Sequence, residues 1–421
     1  MVTDILCIGT EVLMGNIVNT NAQNISKICI KNGHYVLHHH VVGDNYKRAF
    51  NMVKSSLKQC ECIIISGGLG PTDDDITLKV VSDVIGAKLV YSKKAEEHIK
   101  CFLNLDKLET NLFKQTYIIN GATLLYNDNG TALGQLIKYD NKIIIIIPGP
   151  PNECLPMLEN YAMPLLKDYA DVPVYSKMVK ITNIEESTAA NMIDDIIKKQ
   201  TDPTIAPYCK FMEVDFRISS AASSEEEANN KIDNVIDILK KNFNNNIFAY
   251  DEKEFIEDDI YRLLNEFGYR ISVAESCTGG LLSSKLVNIP GISKFFNSGY
   301  ITYSDEAKIK ELKVNKDTLI KYSAVSINVV NEMIEGLIDK TSANVCIAIS
   351  GVAGPGNDNR NNEEGKIIIG TFVKNKDKMI NTYYFNGSRT ENINMATKAA
   401  LIQLRNHILD LNNNYLRIYT K

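Results

Sequence analysis

The sequence predicts an α/β protein in three parts, two α/β sheets with a small α+β module between them. Three observations predict it. In the first and last parts, short apolar runs alternate with amphipathic helical stretches, the pattern of a parallel sheet covered by its crossover helices. Loops rich in Gly, Asp, Ser and Thr follow several of those runs, at the strand ends where open α/β sheets bind ligands. Between these parts, residues 212–218 alternate apolar and polar side chains, which is the period of a strand with one solvated face. A chain of 421 residues exceeds one ordinary core, and the expected parts are 1–170, 171–250 and 251–421.

In the first part, residues 4–9 read as a strand and 21–32 as an amphipathic helix closed by Gly33. A second strand covers 35–42 and ends at Gly43-Asp44, and 46–57 is helical. A third strand over 61–66 feeds the loop Gly67-Gly68-Leu69-Gly70-Pro71-Thr72, and a helix is expected over 75–86. Residues 143–147 are five isoleucines, a strand buried on both faces, ending in Pro148-Gly149-Pro150-Pro151.

In the middle part, Met212, Val214, Phe216 and Ile218 face one way and Glu213, Asp215 and Arg217 the other. Ser224-Glu225-Glu226-Glu227 fits a capping box, opening a helix with the stripe Ile232, Val235, Ile236, Leu239 and Phe243. The polar run 241–246 and the acidic run 251–259 suggest a boundary or linker. In the last part, 270–273 reads as a strand, 281–286 as a helix, 326–340 as a helix and 344–350 as a strand. Strands over 366–373 and 381–385 follow, then a long helix from near Arg389.

Composition excludes several classes. The net charge of −5 offers no electrostatic reason to bind nucleic acid. The longest apolar run, 143–147, is strand-sized, so no membrane span is expected, and the opening residues lack the pattern of a signal peptide. The nine cysteines are scattered, and Cys60-Glu61-Cys62 has no second pair at zinc spacing. Free thiols in a cytoplasmic protein are expected. Consecutive residues on a strand point to alternate faces, so His38, His39 and His40 cannot all bind one ion, and no metal role is expected for them.

The stretch Ser66 to Thr77 joins a glycine-rich loop to a helix start. Its glycines let backbone N–H groups approach a phosphate. It is neither a Walker loop, since no Gly-Lys-Ser/Thr follows, nor a dinucleotide fingerprint. Asp73-Asp74-Asp75 would repel a phosphate unless a divalent cation such as magnesium or manganese lay between them. The alternative is acidic residues placed favourably in a first helical turn, and spacing leaves both open. The loop resembles that of the molybdopterin-binding domain shared by molybdenum-cofactor enzymes. Its Leu69 and Asp73-Asp74-Asp75 variant is similar to that of the competence/damage-inducible CinA family, as are Gly9 to Gly15, Asn19 to Ala22 and Pro148 to Glu153. The resemblance implies a nucleotide site lined by Glu11, Asp44, Gly67, Gly68, Gly70, Asp75 and Thr77, with Asp44 and Asp75 as candidate metal ligands. It further implies hydrolysis of ADP-ribose at its pyrophosphate with a divalent metal.

Ala274-Glu275-Ser276-Cys277-Thr278-Gly279-Gly280 lies where a strand turns into a helix. Free N–H groups and the helix dipole there can hold an anion, and a hydroxyl or thiol is presented to a substrate. The plain alternative is a Ser/Thr-rich helix cap with glycines for a tight turn. Three further segments, 300–308, 349–356 and 387–389, add a tyrosine, a lysine, a glycine-lined loop and an arginine. With His407 deep in the final helix, a Ser–Lys pair is more plausible than Ser-His-Asp. Cys277 is a rival nucleophile, but its thiolate lacks an obvious activator.

These segments resemble the nicotinamide-nucleotide amidase domain that forms the C-terminal part of the CinA family. The resemblance implies Ser276 as nucleophile, Lys308 as its base and Tyr303 as a relay or orienting group. It implies that Thr278, Gly279, Gly280, Ser350, Gly351 and Arg389 hold the nucleotide and the oxyanion. Ser350 stands where the family usually has Thr, and the polar residues 357–364 read as a flexible insert. Residues 184–187 and 202–206 resemble the family's KH-like joining module, which here lacks the G-x-x-G clamp of an RNA binder.

Together the resemblance implies a molybdopterin-binding-like parallel sheet, a KH-like module and an amidase domain. It implies a cytoplasmic homodimer acting on nicotinamide mononucleotide (NMN) and ADP-ribose. A divalent metal is expected at the first site and no cofactor at the second, with no membrane or nucleic-acid partner. The alternatives are a regulatory scaffold with one or both sites inactive, and a molybdopterin-binding protein.

Overall fold

The computed structural model describes residues 1–108 and 111–411. The chain divides into two compact units, Met1–Tyr175 with Ser220–Asn229, and Ser176–Ser219 with Asn230–Lys421.

The first unit is built on strands β1 (Val2–Ile8), β2 (Tyr35–Val42), β3 (Cys62–Ser66), β6 (Thr123–Leu125), β7 (Gly134–Tyr139) and β8 (Lys142–Ile147), with a separate pair β4 (Leu89–Tyr91) and β5 (Tyr117–Ile119). The main sheet has the order β2-β1-β3-β8-β7-β6. It is parallel from β2 through β8, as the sequence predicts, but β7 and β6 add antiparallel strands at its far edge. The isoleucines of β8 explain why this sheet needs two covers. Ile143, Ile145 and Ile147 meet Ala22, Ile25 and Cys29 of helix Thr20–Lys31 on one face. Ile144 and Ile146 meet Ala49, Val53, Val80 and Val81 of helices Tyr46–Gln59 and Thr77–Ile85 on the other. The latter helix begins at Thr77 rather than 75, because Asp75 is drawn into a turn by the Thr72 amide and hydroxyl.

The middle sheet comprises β9 (Val174–Thr182), β10 (Thr204–Lys210), β11 (Glu213–Ala221) and β12 (Ile247–Ala249) in the order β10-β11-β9-β12. Val214, Phe216 and Ile218 are buried with Ile232, Ile236, Leu239 and Phe243, as their periods predict. The opposite face of β11 is solvated only in part, at Arg217 and Ser219, which corrects the expectation. Glu213 and Asp215 are buried too, and Lys398 (2.7 Å to Glu213) and Lys210 (2.5 Å to Asp215) neutralise them. A buried carboxylate needs a cation or enough hydrogen-bond donors to replace the water it loses.

In the second unit, β13 (Ile271–Glu275), β14 (Phe296–Ile301), β15 (Val345–Gly351), β16 (Lys366–Val373) and β17 (Met379–Tyr384) form a sheet ordered β14-β13-β15-β16-β17. β14, β13 and β15 are parallel; β16 and β17 continue antiparallel. Helices Ile256–Phe267 and Arg389–Ile408 cover one face, and helix Ile327–Thr341 the other. The acidic run 251–259 is therefore not all linker. Its end is the first turn of helix Ile256–Phe267, where Asp258 accepts from the Phe255 amide and Asp259 pairs with buried Arg405 at 2.6 Å. Acidic residues favour a helix N-terminus.

Candidate functional site

In each unit a cavity opens at the ends of β strands. In the first, β1, β3 and β8 deliver Gly9, Gly67 and Pro148 to a cavity of about 430 Å³. Glu11, Asp44, Gly67, Gly68, Gly70 and Asp75 line it with Asp74 of the acidic run, together with Gln115, Thr131 and Glu153, none of them a predicted site residue. Only Glu153 carries a readable signal, a carboxylate in the first turn after a strand and the Pro-Gly-Pro-Pro loop. Gln115 and Thr131 lie in a stretch without motif and are brought in by contact: Gln115 Nε2 donates to the Leu69 carbonyl and accepts at Oε1 from Thr131.

The loop is shaped by close backbone approach. Gly67 and Gly68 have φ of +104° and +67°. A Cβ at Gly67 would lie 2.2 Å from the Ile8 carbonyl oxygen, and one at Gly68 2.3 Å from Thr77 Oγ1. The amides of Gly68, Leu69 and Gly70 have no acceptor among the described residues. Thr77 is corrected. It is fully buried, its hydroxyl donates to the Gly67 carbonyl at 2.7 Å, and it does not line the cavity. It holds the loop from beneath.

Five carboxylates line this cavity and no Lys, Arg or His does. That donor set fits a hard divalent cation, which is commonly held by one or two carboxylates and completed by substrate phosphate and water. Asp44 Oδ2 accepts from the Thr10 amide (2.9 Å), and Asp75 Oδ2 from the Thr72 amide and hydroxyl. Oδ1 of each has no hydrogen-bond donor among the described residues. A second cavity, of about 310 Å³, adjoins across Glu11 and Gly149 and is lined by Ile17, Val18, Asn19 and Asn21.

In the second unit, central strand β13 ends at Glu275 and the chain turns into helix Leu281–Val287. Glu275 is fully buried. Its Oε2 accepts from Thr278 Oγ1 (2.8 Å) and the amides of Gly280 (3.1 Å) and Leu282 (3.0 Å). Its Oε1 accepts from the Ser283 amide (2.8 Å) and hydroxyl (2.6 Å). The carboxylate thus caps the helix that would otherwise offer its N–H groups to a ligand. The Gly279 amide is also spent, on the Ser276 carbonyl at 3.1 Å. The Thr278 hydroxyl and the amides of Gly279 and Gly280 serve the turn, and none of the three residues lines the cavity.

Ser276, Tyr303, Lys308, Ser350, Gly351 and Arg389 do line one cavity, of about 310 Å³. Lys308 Nζ lies 3.1 Å from Ser276 Oγ, 2.7 Å from the Thr302 carbonyl and 3.3 Å from the Tyr303 carbonyl. Lys308 is 1% exposed, and its burial lowers its pKa below the ordinary lysine value. Two carbonyls consume two N–H bonds, so in the neutral amine the lone pair is left for the Ser276 proton. Burial pushes the Cys277 thiol up to about 12, which disfavours the thiolate. The Cys277 amide, directly after Ser276, has no acceptor among the described residues. An amide in this position after a nucleophile is a common oxyanion donor.

Tyr303 is 62% exposed, and its hydroxyl accepts from Arg389 at 3.4 Å rather than meeting Ser276 or Lys308. Arg389 also donates to the Gly354 carbonyl, at the start of the last helix. Ser350 Oγ donates to the Ala324 carbonyl at 2.7 Å and fixes that wall. The segment 357–364 is a loop with its own hydrogen bonds. Asp358 accepts from the amides of Arg360 and Asn362 and from the Asn362 side chain. Arg360 donates to the Ile320 carbonyl, and Glu364 accepts from the Gly356 amide. Asn357 and Asp358 thereby join the cavity wall.

Comparison with known proteins places three family models along the chain. A probable molybdopterin binding domain matches residues 4–168, a damage-inducible protein CinA KH domain 176–249, and a CinA C-terminal domain 253–408. A putative competence-damage inducible protein of Clostridium botulinum is 42% identical over 97% of this chain and all of its own length. One from Clostridium acetobutylicum is 39% identical over 98% of this chain and all of its own. A solved structure of a competence-damaged protein (CinA) superfamily member from Klebsiella pneumoniae is 31% identical, covering 37% of this chain and 96% of that one, with a TM-score of 0.36. No helix among the described residues is long and apolar enough to cross a membrane.

Proposed function

The chain belongs to the CinA family of competence-damage inducible proteins, and on that premise we propose that it is a two-site hydrolase of pyridine nucleotides. The C-terminal site hydrolyses the carboxamide of NMN to nicotinate mononucleotide and ammonia. The N-terminal site hydrolyses ADP-ribose at its pyrophosphate.

The observation that carries the amidase reading is the buried contact of Lys308 Nζ with Ser276 Oγ, 3.1 Å apart in a cavity. Neutral Lys308 takes the hydroxyl proton as Ser276 Oγ attacks the carboxamide carbon. The Cys277 amide stabilises the oxygen that gains charge. Lys308 then returns the proton to the leaving nitrogen, releasing ammonia and an acyl-serine. Water attacks the ester with its proton passing to Lys308, and the acid and Ser276 are regenerated. Arg389 and Tyr303, at the cavity mouth, bind the phosphate.

At the N-terminal site a divalent cation held by Asp44 and Asp75 would neutralise charge on the diphosphate. The chain's own contribution is the set of open amides at 68–70, which receive phosphate oxygens, and the rim carboxylates, which orient water. The adjoining cavities offer room for a ligand with two halves joined by a diphosphate.

Ammonia release from NMN by the intact chain, Ser276→Ala and Cys277→Ala tests the reading. Release by the parent and Cys277→Ala but not by folded Ser276→Ala is expected. Release by Ser276→Ala at the parent rate overturns the nucleophile, and no release by the folded parent overturns the amidase.

A further inference from the structure

The histidine triplet takes on a different meaning once β1 and β2 are paired. β2 is the edge strand of the first sheet. The pairing of β1 with β2 shifts register between Thr3 and Asp4, so that Asp4 stands opposite His38 and skips Leu37. Alternation then puts His38 and His40 on one face with Asp4, and His39 on the other, where its Nε2 meets Ser26 Oγ at 2.7 Å. Asp4 Oδ1 lies 3.1 Å from His38 Nδ1 and Oδ2 3.2 Å from His40 Nε2. One ligand atom from each of the three residues lies within 4.8 Å of the others.

The Asp4 side chain is 0% exposed, and its ion-pair partners among the described residues are these two histidines, with no Lys or Arg. A carboxylate so buried needs donors or a cation, and the two imidazoles are its only side-chain hydrogen-bond partners among the described residues. The rings are 42% and 23% exposed. Ligands about 2.0–2.1 Å from a tetrahedral zinc stand about 3.3 Å apart, so three donor atoms within 4.8 Å of one another need only small side-chain shifts to share an ion.

We propose that Asp4, His38 and His40 form a binding site for a borderline transition-metal ion of the zinc, cobalt or nickel type, with a fourth position open to water. Two imidazoles and one carboxylate select such ions over magnesium or calcium. The oxygen-only cavity at the other end of the sheet has the opposite preference. Asp4 lies on β1 and Gly9 directly follows that strand, five residues on and about 16 Å along an extended chain, so the two sites are separate. The bound ion ties the edge strand to its neighbour.

The test is titration of the untagged, chelator-treated full chain with cobalt(II), read by visible absorption. One equivalent with the intense bands of a four-coordinate, nitrogen-ligated ion is expected; an oxygen-only six-coordinate site gives weak bands. His38→Gln and His40→Gln should each weaken binding more than about 100-fold, beyond the 10–100-fold cost of losing an outer hydrogen-bond partner. His39→Gln should keep the spectrum. Zinc should raise the melting temperature of the parent and not of His38→Gln. Absence of intense bands in the parent, or their survival in both variants, overturns the site. If His40→Gln does not fold, His38→Gln, with the more exposed ring, carries the same test.

Discussion

Glu275 accepts both the amide and the hydroxyl of Ser283, at 2.8 and 2.6 Å, across the turn that carries Ser276. The carboxylate is spent wholly on this turn, so the nucleophile is placed by a buried cap rather than by the glycines beside it. Glu275→Gln keeps the size but gives one side-chain position a donor that faces donors. Loss of about 1–3 kcal/mol of stability is expected, read as a lower denaturant midpoint, together with reduced NMN hydrolysis. An unchanged midpoint refutes the capping role.

Lys308 sets a pH limb. Burial lowers its pKa, and the amine acts only when neutral, so kcat/KM for NMN should rise with pH and level off above that lowered value, short of the ordinary lysine range. Lys308→Met should lose about 10²–10⁴ in kcat and the limb with it, while NMN binding changes little. Weaker binding with unchanged turnover of bound substrate would contradict the base role.

Asp75→Ala should abolish metal-dependent ADP-ribose cleavage and spare ammonia release from NMN, because the two cavities lie in different compact units. Parallel assays on one preparation decide it. Equal loss of both activities would mean a general folding defect or a shared site.

Asp259→Ala should destabilise the second unit by about 3–5 kcal/mol, since it leaves Arg405, 2% exposed, as an unpaired buried cation. Chemical denaturation followed by circular dichroism measures this. The double change Asp259→Ala with Arg405→Leu should recover much of the loss, because no charge is then stranded. Failure to recover any would assign the cost to packing.

Much of the frame was legible in the residues. The isoleucine run of β8 declared a strand buried on both faces, and the stripes of helices 21–32 and 225–243 declared which side faced a core. These are local periods, and periodicity survives any tertiary arrangement. The antiparallel strands β6 and β7 were missed because pairing direction leaves no mark on a short apolar run. The solvated face assigned to β11 failed in part for a related reason. Charged residues at period two signal solvent unless distant partners arrive, and Lys398 arrives from 185 residues away.

By itself, the sequence determined the α/β class, the order of the parts, and which loops lie at strand ends with nucleophile, lysine, glycines and carboxylates on them. It could do so because residue type and short spacing encode period, turn and chemistry. The tertiary structure alone decided which of those groups meet. It set Lys308 against Ser276, turned Thr278, Gly280 and Thr77 inward to hold their loops, added Glu153 to the first cavity, and aligned Asp4 with two histidines of the triplet. Hydrogen-bond partners, burial and strand register depend on positions tens of residues apart, and no local pattern records them.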